Sequence, residues 1–266
     1  MKKLALLASA AMIIIAGSCV KTDDITPTTT PTPTTPTTTG PTPPSPTPSG
    51  SDISGVLVSI KMDYSTQPAG SPIPVTLVSE IGTAAFYNTP GGSTFVDAGT
   101  VSVNNNNLEK ASNNAYTKLA TTGLTPSSLD FGSGSSAKSA WNVSGSGSVT
   151  AFSYTHTATF PDYSGTVPSS VTKASGLSFS FNSSTLSGAD SVIVVIAAGS
   201  TTITKTYAAN AGTVNISASD LSALPTVSDN TGIIEVCPYR WIFNTINGKK
   251  YVFIKEQAVV KNININ

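Results

Sequence analysis

Histidine is nearly missing: His156 is the only one in 266 residues, and Cys19 and Cys237 are the only cysteines. A zinc site needs several such ligands, so none is expected. A Ser-His-Asp triad would have to use His156, and no G-x-S-x-G nucleophile elbow occurs. His156 reads instead as a packed imidazole on the aromatic face of a strand. Charge is scarce as well, at 11% of residues with a formal net of zero. Without a basic stripe, nucleic acid is not an expected partner. Glutamate occurs only at 80, 109, 235 and 256. Beyond residue 50 the aspartates stand singly, at Asp52, Asp63, Asp97, Asp130, Asp162, Asp190, Asp220 and Asp229. That excludes EF-hand spacing and offers no local carboxylate pair. No cofactor is expected. The one long apolar run, Leu4 to Ile15, is too short to cross a bilayer, which takes about 20 residues.

What is present begins with that run. Lys2 and Lys3 precede it and the small residues Ala16-Gly17-Ser18 follow it, directly before Cys19. A positive start, an apolar middle and a small-residue cleavage zone make a secretory signal over 1–18. The stretch Ala16-Gly17-Ser18-Cys19 resembles the lipobox of bacterial lipoproteins. The resemblance implies a diacylglycerol thioether on Cys19, cleavage just before it, and acylation of the new amine. Two or more chains anchor stably where one is marginal. Lys21-Thr22-Asp23-Asp24 resembles the acidic export signal of Bacteroidetes surface lipoproteins, with Lys21, Asp23 and Asp24 as its charged members. Read without the resemblance, the first feature is an ordinary cleaved signal and the second a solvated spacer. With Cys19 assigned to lipid, Cys237 is alone and no intramolecular disulfide forms. Cys237 itself reads as a small buried hydrophobe.

Residues 19–50 form the lipidated linker, and from Ile25 it is almost wholly Thr, Pro, Ser and Gly. Such a segment has nothing apolar to bury. Extended, at about 3.1 Å per residue, it reaches on the order of 80 Å. It resembles the Thr/Pro linkers between modules of secreted bacterial proteins.

The remainder is poor in long charged residues and rich in Thr, Ser, Asn and Gly, which favours strands and turns over helices. The expected fold class is all-β, built of antiparallel β-sandwich units behind the linker. A first unit covers 51–165 and a second 166–266, with the boundary in the Pro-flanked segment from Asp162 to Val171. In the first, Gly55 to Met62, Ile73 to Glu80 and Thr94 to Val103 read as strands. Pro72 and Pro74 mark a strand start. Leu108 to Leu119 is ambiguous: Leu108, Ala111, Ala115 and Leu119 fit a helical face, which Asn113 and Asn114 weaken. Val149 to Phe160 alternates strictly, with Phe152, Tyr154, His156 and Phe160 on one face. In the second, Val192 to Ala197 is apolar throughout and reads as a strand buried on both sides. Asn247-Gly248 signals a type I′ hairpin pairing Ile242 with Phe253. Ala258 to Ile265 reads as a closing strand. The order resembles an immunoglobulin-like or fibronectin-III-like module, with 216–225 as its crossover between sheets. Asp190-Ser191-Val192 matches a short O-glycosylation pattern of Bacteroidetes.

These features describe a lipid-anchored protein of the outer membrane, exposed at the cell surface and partnered with the membrane through its lipid. The head reads as a non-catalytic binding, adhesion or structural protein, its ligand a glycan, a matrix or another protein. Trp141, Tyr163, Tyr239 and Trp241 serve either as aromatic platforms or as core. The alternative is a surface hydrolase, or an accessory subunit of a polysaccharide-degrading system, with a loop-built carboxylate pair.

Overall fold

The computed structural model describes residues 48, 50–66, 75–121, 128–182 and 184–266. The leader, Cys19, Lys21, Asp23, Asp24, nearly all of the linker, and Pro72 and Pro74 lie outside the described residues. The fold is all-β. The strands of the first half are β1 (Ile53–Thr66), β2 (Val75–Phe86), β3 (Val101–Val103), β4 (Asn106–Asn107), β5 (Glu109–Lys110) and β6 (Tyr116–Thr121). Then come β7 (Ser139–Val143), β8 (Phe152–His156), β9 (Asp162–Tyr163), β10 (Ser170–Val171), β11 (Leu177–Ser180) and β12 (Leu186–Ser187). The last are β13 (Ser191–Ala198), β14 (Thr201–Ala208), β15 (Thr213–Ile216), β16 (Val227–Ile246) and β17 (Lys249–Ile265).

One sheet of nine strands carries the rest, in the order β14-β13-β16-β17-β1-β2-β6-β5, with β10 added on β17. Its pairing is antiparallel except where β1 and β10 run parallel to β17. Alternation gives each long strand two different faces. On one, Val56, Val58, Ile60 and Met62 of β1 join Val252, Ile254 and Val260 of β17, with Ile193, Val195 and Ile233, in a single core. The opposite face carries a second layer in two parts. Over Leu57, Tyr251 and Phe253 lies the sheet β4-β3-β7-β8, filled by Trp141, Phe131 and Phe152. Over Val194, Val236 and Ile263 lie the ribbons β11-β15 and β12-β9, filled by Phe181, Leu186 and Val214.

The long hairpin β16–β17 forms as its turn dictates. Asn247 and Gly248 both take positive φ, 52° and 75°, and Ile242 pairs with Phe253. Trp241 and Phe243 pair with Ile254 and Val252, so all four share one face. A valine cannot hold that backbone conformation cheaply, even though a Cβ on Gly248 meets nothing within 4 Å. Gly248→Val is therefore expected to cost about 1–3 kcal/mol in a urea melt, from backbone strain alone. Asn247→Gly is expected to be neutral.

Several elements differ from the sequence reading. Residues 108–119 form no helix but a hairpin, β5 and β6 joined by a turn at 112–114: Leu108 is buried, Ala111 is exposed, and Leu119 stands on β6 with 43% of its surface open. A Thr- and Asn-rich segment beside β2 finds ladder partners there, which outweigh weak helical spacing. The alternation holds in burial from Ala151 to Phe160, but ladder pairing is confined to β8. Ala258 to Ile265 is not a separate strand; it continues β17, which runs unbroken for 17 residues. The 216–225 segment turns through a single helical turn, α1 (Ala218–Leu221). Ser217 caps it: its hydroxyl accepts from the Asp220 N–H while the Asp220 carboxylate accepts from the Ser217 N–H. Ser191 is fully buried in β13 and so is not presented for glycosylation.

The segment 162–171 does not interrupt the main sheet. Strands β1, β2 and β6 from before it are hydrogen-bonded through β17 to β16, β13 and β14 from after it. Residues 168–266 alone would leave one edge of β17 unpaired from Lys250 to Lys261 and uncover Val252, Phe253 and Ile254. We expect that fragment to be molten or aggregating, by loss of cooperative urea unfolding and by ANS binding. Cooperative unfolding of the fragment would establish 166–266 as a unit that folds by itself.

Candidate functional site

A cleft of about 370 Å³ opens where the two parts of the second layer meet above the main sheet. Its floor is Lys61 of β1 and Gln257 of β17, directly paired in the parallel ladder. Its walls come from the turn at Ser133 and Gly134, from Thr159, Phe160 and Asp162, and from Ser187. The stretch 157–162 passes from one cover to the other, so its side chains border the gap between them.

The strand period explains the polar floor. Lys61 and Asp63 share the layered face with Ser59, while Val58, Ile60 and Met62 point to the opposite core. On β17 the same alternation puts Lys255 and Gln257 beneath the seam. A polar stripe therefore crosses the sheet between two apolar packs. The Gln257 amide lies 3.4 Å from Asp162 Oδ1 and 3.5 Å from Asp63 Oδ2. Burial pushes the Asp63 carboxyl above its ordinary value, against the pull of Lys61. The Lys61 ammonium donates to the Gly132 carbonyl.

Lys255 is fully buried. Its ammonium donates to the Ala158 carbonyl at 2.6 Å and lies 4.7 Å from the centre of the Phe160 ring. Burial, with Arg240 and Lys61 nearby, pulls it down to about 8. His156, on β8, is 4% exposed, and burial together with Lys255 and Arg240 lowers it to about 4. It is therefore neutral at neutral pH. It lies buried near the cations of Lys255 and Arg240, with Ser139 directly opposite it in the β7–β8 ladder.

The other candidates fall elsewhere. Trp141, Tyr163 and Tyr239 are 2%, 4% and 0% exposed, so they are core and not platforms. Trp241 is half-buried, its ring tilted against Tyr239 at 5.4 Å between centres. Cys237 is buried in β16 with its thiol 3.8 Å from Glu256 Oε2, and burial pushes that thiol well up, which suits packing rather than attack. Asp52, Asp97 and Asp220 pair at the surface with Lys250, Lys110 and Lys205, contacts worth little in open solvent. Asp190 Oδ2 accepts from the Trp241 N–H. Among the described residues no three His, Cys, Asp or Glu side chains are grouped to hold a metal ion.

The cleft residues were not legible as a site because Lys61, Asp162 and Gln257 are far apart in the chain. The signal available was the polar run Ser59, Lys61, Asp63 inside an otherwise apolar strand. That pattern reads as a solvent face until a second layer is known to cover it. No family model matches the chain, and neither the curated proteins nor the solved structures contain a match.

Proposed function

We propose that this chain is a lipid-anchored protein of the outer cell surface whose head binds a ligand without transforming it. The cleft between the two covers carries this reading. It has the size of a small-molecule site, and its hydroxyl, amide and charged groups suit a polyhydroxylated ligand. Hydrolysis of a glycosidic bond needs two carboxylates facing an open space that the scissile bond can enter. Asp162 is the one carboxylate among the described lining residues, and the Gln257 side chain fills the space between it and Asp63. The lipobox-like stretch ending at Cys19 and the acidic segment at Lys21, Asp23 and Asp24 support the location. The linker supports a head held clear of the lipid.

Three measurements test the reading. Labelled fatty acid is expected to enter the protein, and Cys19→Ala is expected to abolish incorporation. Protease added to intact cells should remove the head, and Asp23→Ala with Asp24→Ala should protect it. Label retained in the Cys19→Ala protein would remove the lipid anchor from the proposal. For the ligand, the full-length protein in detergent micelles is applied to a glycan array. An array with no saccharide retained argues against the glycan ligand.

A further inference from the structure

Lys61 lines the cleft, Lys255 is buried beneath it and Arg240 stands beside it, and none of the three forms an ion pair with a described carboxylate. Lys255 pairs with Arg240 across the β16–β17 ladder, and Lys61 pairs with Gln257, two residues further along β17. The Lys61 and Lys255 ammoniums lie 5.2 Å and 4.7 Å from the centre of the same Phe160 ring. Each donates to a backbone carbonyl, of Gly132 and Ala158 respectively. The Arg240 guanidinium has no hydrogen bond or ion pair with a described residue. A Cβ built on Gly188 would lie 3.6 Å from Arg240 Nη1 and 3.9 Å from Thr159 Oγ1. The guanidinium therefore stands beside Gly188, next in the chain to the lining residue Ser187 and just outside the residues that line the cleft. The salt bridges of the described residues are all elsewhere, at Lys110, Lys205 and Lys250.

Two carboxylates offset this charge in part. Asp162 stands on the cleft wall, and Asp63 lies behind Gln257. Three cations against two carboxylates leave an excess of positive charge in a chain with few charges of either sign. A guanidinium without a partner is a fork suited to a carboxylate or a sulfate. The hydroxyls of Ser133, Thr159 and Ser187, with Asp162 and Gln257, offer both donors and acceptors to sugar hydroxyls.

We propose that this cleft binds an acidic saccharide, with Lys61 and Arg240 holding its anionic group and Asp162 and Gln257 its ring hydroxyls. The proposal rests on the reading of the head as a binding protein. The anion is a ring carboxylate or a sulfate ester, and two probes separate these sources.

Full-length protein in detergent micelles is titrated with a galacturonate trisaccharide, a sulfated galactan oligosaccharide and neutral cellotriose. One acidic probe is expected to bind, and cellotriose is not. Raising the salt from about 0.05 M to about 0.5 M should weaken binding at least about tenfold, because screening acts on the anion contact. Lys61→Gln and Arg240→Gln should each weaken it about tenfold or more, while thermal melts stay close to the parent. The salt dependence of the unmodified protein keeps the test decisive if either variant fails to fold. Acidic probe bound equally well by both folded variants would overturn the cleft assignment and leave the binding role standing. Cellotriose bound in preference, or binding indifferent to salt, would overturn the acidic class alone. Failure of all three probes, together with an empty glycan array, would overturn both.

Discussion

Glu256→Gln is expected to stabilise this protein at pH 8 by about 2–4 kcal/mol and to leave it nearly unchanged at pH 5. Glu235 and Glu256 stand on the apolar face of the main sheet, among Ile193, Val195, Ile254 and Val260. Both are buried, and Glu235 Oε2 and Glu256 Oε1 have no hydrogen-bond partner among the described residues. Burial raises Glu235 from 4.5 to about 7. Burial, with the Glu235 charge adding to it, raises Glu256 to about 8. Between the ordinary carboxylate value and these values, the folded chain holds protons that the unfolded chain has released. The unfolded state then binds fewer protons, so stability falls as pH rises. The contribution of the two acids is whole below about pH 4.5 and gone above about pH 8.

His156 opposes them over part of that range. Lowered from 6.5 to about 4, it releases its proton on folding, so its contribution grows as pH rises between those values. One imidazole against two carboxyls leaves the carboxyls dominant. The parent is expected to be about 3–5 kcal/mol less stable at pH 8 than at pH 5, measured by urea melts across that range. Equal stability at the two ends would mean that the carboxyls are solvated or paired. Glu235→Gln should flatten the same slope, by a smaller amount.

Trp141→Ala is the second large effect, expected at about 3–5 kcal/mol. Trp141 is 2% exposed on β7, between Val103 of β3 and Tyr154 of β8. It fills the space between the small sheet and the Leu57–Phe253 face of the large one, so truncation leaves a cavity that flanking strands cannot close. Trp241→Ala should cost less, about 1–2 kcal/mol, because its ring is half-buried at the end of its sheet face. Urea melts of both variants measure the difference. Equal losses would place Trp241 in the core as firmly as Trp141.

Local chemistry was enough for some of this fold. The turn at Asn247-Gly248 needs positive φ at both residues, and once it forms, every pair from Ile246–Lys249 to Tyr239–Glu256 follows from strand period. The run Val192 to Ala197, apolar on both faces, had to be covered on both, and β13 is buried throughout. Poverty in charge and helix formers determined an all-β chain. The tertiary structure decided what depends on partners distant in sequence. The parallel pairing of β1 with β17 joins residues about 200 apart, and no local pattern specifies it, since alternation assigns the faces of β1 but not its neighbour in the sheet. It unites the 51–165 and 166–266 stretches in one sheet. The cleft follows from that pairing, because Lys61 meets Gln257 only in that register and Asp162 reaches them only when the second layer closes. Lys61 and Gln257 become the floor of a site only once a covering layer closes over them.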